Sequence, residues 1–207
     1  MSSPESTVGA DASLAFDRLL AELRGCTACA DLPLGPKPLM RGAASARLLI
    51  ISQAPGTKAH ESGLSFNDAS GDRLRDWLGI GRATFYDEAR VAIMPMGFCY
   101  PGRLPRGGDR PPRPECAPLW HERLRAGLGT VELTLLVGSY AIRRYLPGAK
   151  RCSMTEAVAG WRTHLPEIIP TPHPSWRTTA WQRKHPWFET DLLPELQNRV
   201  AAILSDR

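Results

Sequence analysis

The sequence predicts a single α/β domain, a three-layer αβα sandwich around a four-stranded parallel sheet. Four short apolar runs have the length and the β-branched content of buried strands, and helical patterns lie between them. Strands that alternate with helices indicate a parallel sheet covered on both faces. A chain of 207 residues is long enough for one such domain and too short for two ordinary ones.

In chain order, residues 1–9 are expected to form a disordered tail and residues 10–207 the domain. Apolar residues at helical spacing between Phe16 and Leu23 predict a first helix, which Gly25 is placed to end. The strands are expected at 48–52, 91–96, 133–137 and 168–171. Helices are expected from Ser70, over about 114–128 and 139–146, from a capping box that begins at Ser153, and over about 193–203.

Composition narrows the class of partner and the compartment. The formal net charge of +5 favours a polyanionic partner such as nucleic acid. No apolar stretch is long enough to cross a bilayer, and the first residues have neither the basic start nor the apolar block of a signal peptide. A cytoplasmic protein that does not act at a membrane is therefore expected, in which thiols stay reduced and serve as metal ligands or buried thiols rather than disulfides.

Four of the five cysteines form two pairs. Cys26 and Cys29 are separated by two residues, and Cys99 and Cys116 by sixteen. Thiolates bind both iron–sulfur clusters and zinc, but a zinc ribbon normally has a second tight pair. The wide second spacing favours a cluster that fixes a long loop to the N-terminal segment, while zinc or unrelated buried thiols remain alternatives. Cys152 has no partner in this pattern.

Two motifs follow predicted strands. The segment SQAPG comes directly after the first strand, and HPSWR follows the fourth. In open parallel sheets, ligands bind beyond the carboxyl ends of the strands. A Gly/Pro turn there directs backbone N–H groups at an anionic or carbonyl ligand, and a histidine between prolines is rigidly aimed and able to donate to a developing oxyanion. Either motif alone is also compatible with a plain turn or a structural histidine.

Taken together, the order of motifs resembles the family-4 uracil-DNA glycosylases. These motifs are the C-x2-C pair, the SQAPG turn, the GLSF segment at 63–66, the widely spaced cysteines and the HPS segment, and the match runs from about residue 26 to 180. The resemblance implies a [4Fe–4S] cluster held by Cys26, Cys29, Cys99 and Cys116, with structural zinc as the alternative. It also implies a monofunctional DNA N-glycosylase of base excision repair, a hydrolase that acts on DNA containing a damaged base. A monomer is expected by analogy.

The resemblance also assigns roles to residues of the two strand-end motifs and of the loop between the first strand and the next helix. Such an enzyme flips the target nucleotide out of the duplex, because the glycosidic bond is inaccessible inside the stack. His173 and the backbone of the Gln53 turn would then act on the departing base. The expected catalytic residues are Gln53, His173 and Asp68; the base-binding residues are Ala54, Phe66 and Asn67; the DNA-binding residues are Pro55, Gly56, Ser175, Trp176 and Arg177.

This chain departs from the family pattern at two positions. Family members usually have a carboxylate where this chain has Gln53, and an amide can orient a water molecule but cannot deprotonate it. Asp68, His60 and Glu61 lie in the following loop and are candidates for a general base. The asparagine that reads uracil in the family is replaced by Pro95, and Asn67 is considered as its substitute. The excised base is expected to be uracil, with hypoxanthine, xanthine or a modified uracil as alternatives.

Two other functions fit the same sequence. A protein that has lost the carboxylate and the asparagine could bind damaged DNA without catalysis, or trap the base covalently through a loop histidine such as His60. A weaker alternative is a cluster protein with a redox or regulatory role and no base chemistry.

Overall fold

The computed structural model describes the backbone of residues 4–205 and the side chains of residues 11–205. Its centre is a parallel sheet of four strands in the order β2-β1-β3-β4. The strands are β1 (Leu48–Ser52), β2 (Val91–Pro95), β3 (Leu133–Val137) and β4 (Ile168–Thr171). The predicted fold class is confirmed. The second strand ends one residue earlier than predicted, at Pro95.

Helices cover the sheet. They are α1 (Pro4–Arg24), α2 (Thr57–Ser62), α3 (Ala69–Leu78), α4 (Arg82–Phe85), α5 (Glu122–Ala126), α6 (Ser139–Tyr145), α7 (Met154–Ala159), α8 (Thr179–Lys184) and α9 (Leu193–Leu204). The π-helical segments Ala117–His121 and Phe188–Leu192 lead into α5 and α9, and short 3-10 segments lie at Ala149–Arg151, Trp161–His164 and Trp176–Thr178. Both hydrogen bonds of the predicted capping box at Ser153 are present at the start of α7.

The N-terminus differs from the prediction. Helix α1 begins at Pro4, so residues 4–9, which the sequence assigned to a disordered tail, belong to the first helix. Proline is favoured in the first helical turn because it has no N–H that needs a partner there. The rest of the predicted tail, residues 1–3, lies outside the described residues.

The two helical layers follow from the crossovers. Helix α9 packs on α3 and on β1, and α6 packs on β1 and β3. Right-handed crossovers place the helices between β1 and β2 on the opposite face from those between β3 and β4. All five residues of β1 are buried, as a central strand covered on both faces requires. Within the part of the chain that the structure describes, none of the helices has the length and apolarity to cross a membrane.

Because all four strands are parallel, their carboxyl ends meet at one edge of the sheet. Ser52 of β1 is in register with Pro95 of β2, and Val137 of β3 with Thr171 of β4. The segments that follow these strands, including the Gln53 turn and His173, therefore emerge side by side.

Candidate active site

A pocket of about 500 Å³ opens at the carboxyl edge of the sheet. It brings the turn after β1 and the histidine after β4 to one cavity, although more than 100 residues separate them in the chain. Of the residues proposed from the sequence, those that line it are Gln53, Ala54, Pro55, Gly56, Phe66, Asp68, His173, Ser175, Trp176 and Arg177.

Neighbouring backbone fixes the Gln53 turn. The N–H of Met96 donates to the carbonyl of Ser52 at 2.8 Å, and the N–H of Gly97 donates to the carbonyl of Gln53 at 3.0 Å. These two hydrogen bonds continue the pairing of β1 with β2 past the end of the strands. The turn is thus held rigidly, with the half-buried Gln53 at the pocket.

His173 occupies the pocket wall between two prolines. Its Cβ lies 3.4 Å from the position that a Cβ on Gly138 would take, so the loop after β3 approaches it closely. Burial lowers the pKa of His173, and the nearby Asp68 carboxylate opposes this shift. A lowered pKa keeps the imidazole neutral at pH 7, when one ring nitrogen donates and the other accepts.

Phe66 reaches the pocket through an unusual backbone conformation. Among residues 4–205 it is the non-glycine residue with a positive φ, 59°, a conformation that costs about 1–3 kcal/mol and concentrates at functional sites. Its ring packs edge-to-face on Phe85, with centroids 6.0 Å apart. One face of the pocket is therefore bounded by an aromatic ring whose position is held by the core.

Asp68 has a structural role besides lining the pocket. Its Oδ1 accepts a hydrogen bond of 2.9 Å from the N–H of Gly71 and caps α3. Capping engages one carboxylate oxygen and leaves the other.

Three other loop residues proposed from the sequence do not line the pocket: Asn67 for base binding, and His60 and Glu61 as general bases. Asn67 does not line the pocket, and its Oδ1 accepts a 2.9 Å hydrogen bond from Arg82. The positive φ of Phe66 turns the side chains of Phe66 and Asn67 in different directions, although the two residues are adjacent in sequence. His60 and Glu61 do not line the pocket either, and the His60 ring lies 6.0 Å from that of Tyr100.

The rim of the pocket carries an exposed aromatic residue and two cations. Trp176 has 76% of its surface exposed, and the Arg177 guanidinium lies 5.6 Å from its ring centre. Arg73 fixes this segment by donating to the carbonyl of Ser175 at 2.9 Å. Arg103 also lines the pocket. Arg113, further along the same loop, does not line the pocket and pairs with Asp31 at 2.8 Å.

Sequence reasoning missed a small hairpin that forms one side of the pocket. Arg103 and Asp109 pair as an antiparallel bridge, and Leu104 donates to the carbonyl of Gly108 at 2.9 Å. The carboxylate of Asp109 stands at the pocket mouth, where partial burial raises its pKa while Arg103 and Arg177 oppose that shift. The Gly107–Gly108 pair was an available signal for this turn.

The four paired cysteines line a second, apolar cavity between the N-terminal segment and the loop after β2. Cys29, Cys99 and Cys116 are buried, and Cys26 is partly exposed. Burial raises the pKa of the Cys99 thiol to about 11, with a smaller contribution from the three other thiols. Cys152 lies elsewhere, against the carbonyl of Ala149. No three His, Cys, Asp or Glu side chains of the described chain converge closely enough to hold one metal ion.

Comparison with known proteins defines the class. A model of the uracil DNA glycosylase superfamily matches residues 39–197, which include all four strands and every residue that lines the pocket. The chain therefore belongs to the uracil DNA glycosylase superfamily. It is also similar to a solution NMR structure from Methanosarcina acetivorans, provisionally described as a uracil DNA glycosylase. That likeness has a TM-score of 0.44 and 12% sequence identity over 77% of this chain and 94% of that chain.

Proposed function

We propose that this protein is a monofunctional DNA glycosylase that hydrolyses the N-glycosidic bond of a flipped-out damaged base, with uracil as the first candidate. Membership of the superfamily supports DNA glycosylase activity. The observation that carries the finer proposal is the meeting of the Gln53 turn, Phe66 and His173 in one pocket. Such a pocket accepts a single nucleotide only after it has left the duplex stack.

The pocket chemistry suits a departing base anion. Glycosidic cleavage passes through an oxocarbenium-like sugar while negative charge develops on the base. A neutral His173, aimed by its flanking prolines, would donate an N–H to the base carbonyl where this charge accumulates. Such fixed donors are most effective in a site that excludes water. The Phe66 ring would stack on the extruded base.

The rim suits the DNA backbone. Arg103 and Arg177 are exposed beside the pocket, and arginine forks bind phosphates well. Trp176, with its exposed indole, would fill the gap that the flipped nucleotide leaves. Ser175, Pro55 and Gly56 lie along the same rim and would contact the phosphates next to that nucleotide.

Recognition of the base depends on the polar side chains that line the pocket. Pro95 lines the pocket where the family places an asparagine, so it offers no amide to the base. The buried side chains of Ser52 and Ser65 also line the pocket and are available polar groups. Hydroxyl groups both donate and accept, and this is compatible with uracil, hypoxanthine, xanthine or 5-hydroxymethyluracil.

A panel of labelled duplexes that carry each of these bases tests the proposal. Purified protein is incubated with each duplex, and alkali then cleaves any abasic site. We expect multiple-turnover cleavage of at least one duplex, most strongly with uracil, and none with the undamaged control. Tight binding without cleavage of any base would contradict the proposal.

The same panel separates a second candidate function, a damaged-base binder that does not turn over. The observation that favours it is the absence of a carboxylate at position 53 together with Pro95 at the reading position. A protein–DNA band that survives denaturant would indicate covalent trapping. The position of His60 outside the pocket argues against that residue as the trapping nucleophile.

We further propose that Cys26, Cys29, Cys99 and Cys116 hold a [4Fe–4S] cluster. All four thiols line one cavity, so the fold brings the two sequence pairs together. Thiolates are the usual ligands of such a cluster, and the wide spacing of Cys99 and Cys116 differs from the second tight pair of a zinc ribbon. When bound, the group would join the N-terminal segment to the loop after β2 and supply a structural cross-link.

A further inference from the structure

The hairpin at residues 102–110 carries an acidic side chain to the pocket. The N–H of Arg110 donates to the carbonyl of Gly102 at 2.8 Å, and the bridge between Arg103 and Asp109 closes the hairpin. Asp109 Oδ2 lies 3.5 Å from the position that a Cβ on Gly56 would take. The carboxylate therefore lies beside Gly56, at the end of the turn that begins at Gln53, at the pocket.

Within residues 11–205, the Asp109 carboxylate takes part in no ion pair. Arg103 and Arg177 are near enough to influence it, but among the described residues neither approaches within 4.0 Å. The two carboxylates of the pocket lining, within residues 11–205, are Asp68 and Asp109. Asp68 caps a helix with one of its oxygens. Asp109 is thus the pocket acid with both oxygens available for substrate or water.

We infer that Asp109 supplies the carboxylate that the Gln53 turn lacks, stabilising the cationic sugar and accepting the proton of the attacking water. This inference rests on the proposed glycosylase function. The C1′–N bond breaks and its electron pair leaves with the base. The water oxygen then bonds to C1′ while its proton passes to Asp109. Solvent takes that proton from Asp109, the base anion gains one, and the products are the free base and an abasic site.

The position of Asp109 suits a reaction that needs little help from a strong nucleophile. An oxocarbenium ion needs a nearby negative charge and an oriented water more than a strong base. The Gln53 amide would orient the water from one side, and the Asp109 carboxylate would attract the sugar cation from the other. Orienting the water and accepting its proton are then divided between two residues of this chain, Gln53 and Asp109.

The first test measures binding and needs no turnover. Duplexes carry either a pyrrolidine abasic-site analogue, which is protonated at neutral pH, or the neutral tetrahydrofuran analogue. The wild-type protein should prefer the cation by about tenfold, the attraction expected across a partly solvated pocket, and Asp109→Asn should lose this preference. Asp17→Asn, an exposed position on α1 outside the pocket, removes the same charge and should keep it.

The second test measures single-turnover cleavage of the base identified by the panel. Asp109→Asn should lower the rate on the order of 10²-fold, while Asp17→Asn stays within a few-fold of wild type. The active form is the carboxylate, so the wild-type rate should fall as pH drops through the raised pKa of Asp109, and the Asp109→Asn rate should not follow that decline.

The outcomes separate this inference from the proposed function. If a base is excised but Asp109→Asn cleaves it at the wild-type rate with the wild-type pH profile, the inference is overturned and the glycosylase proposal stands. If no base is excised while the cation preference depends on Asp109, the carboxylate site stands and the glycosylase proposal fails. A wild-type protein without any cation preference overturns the inference in either case.

Discussion

His173 is held in place from three directions. Prolines on both sides restrict its backbone, Gly138 approaches its Cβ, and the hydroxyl of Thr178 donates to its carbonyl. A side chain fixed in this way loses little freedom when it binds a ligand, so its hydrogen bond acts on the transition state without reorganisation. Because burial lowers the pKa of His173, the donor at neutral pH is an imidazole and not an imidazolium.

Replacing His173 with alanine should therefore remove a directed donor and leave the fold intact. A donor of this kind is typically worth ~3 kcal/mol, which corresponds to a rate loss on the order of 10²-fold. Single-turnover cleavage of the preferred base measures it.

The matched control is His164→Ala, because His164 is a half-buried histidine that does not line the pocket. That variant should cleave at the wild-type rate. Activity of His173→Ala within a few-fold of wild type would remove His173 from the mechanism, whatever the control shows.

At the scale of elements, the segment from Gly63 to α3 is built by close backbone contact. A Cβ on Gly71 would lie 1.7 Å from the carbonyl oxygen of Phe66, a distance that no repacking of side chains relieves. The helix start can therefore approach the Phe66 turn only because residue 71 has no side chain. Asp68 completes the joint by capping α3 through the N–H of the same glycine.

Gly71→Ala should displace Phe66 from the pocket. The clash is with backbone, so we expect a loss of about 1–3 kcal/mol in the free energy of unfolding, measured by urea titration, together with weaker cleavage. Gly129→Ala is the matched control, because its Cβ would meet nothing within 4 Å. The control should change the free energy of unfolding by less than about 0.5 kcal/mol. Equal stability of the two variants would contradict this account of the turn.

The sequence could predict the elements whose signal is local. Leu48–Ser52, for example, is an apolar run of strand length next to a Gly/Pro turn, and it forms β1 with the same bounds. The Ser153 capping box is likewise a short-range pattern, and α7 starts there. The proximity of the two strand-end motifs followed from the rule that parallel strands end at one edge.

Side-chain directions in the loops were beyond a sequence argument. Asn67 and Phe66 are neighbours in sequence, yet the positive φ of Phe66 leaves one in the pocket and the other paired with Arg82. Asp109 is the converse case. It lies in an arginine-rich loop between Cys99 and Cys116, and a hairpin places it at the pocket. Both placements depend on backbone geometry that composition does not encode.

At the scale of the whole molecule, the two cavities have separate structural tasks. The first lies at the sheet edge, where the segments after the strands converge. The second joins Cys26 and Cys29, at the end of α1, to Cys99 and Cys116, which bracket the loop that contains the Asp109 hairpin. A cross-link through the second cavity would therefore stabilise one wall of the first.

The protein purified without oxygen should be brown, with a broad visible absorbance that bleaches on reduction. Cys29→Ser should lose most of that absorbance because a cluster with one ligand replaced is poorly held. Loss of a link between distant segments typically costs about 2–5 kcal/mol, so Tm should fall by roughly 10 °C for a chain of this size.

Cys152→Ser provides the control for the same chemical change outside the cavity, since Cys152 does not line it. This variant should keep the colour, the iron content and a Tm close to that of the wild type. Iron and zinc are measured together by elemental analysis of each preparation. A colourless wild-type protein with one zinc per chain would show that the four thiols hold a single ion, and the side chains would then have to converge more closely than they do in this structure.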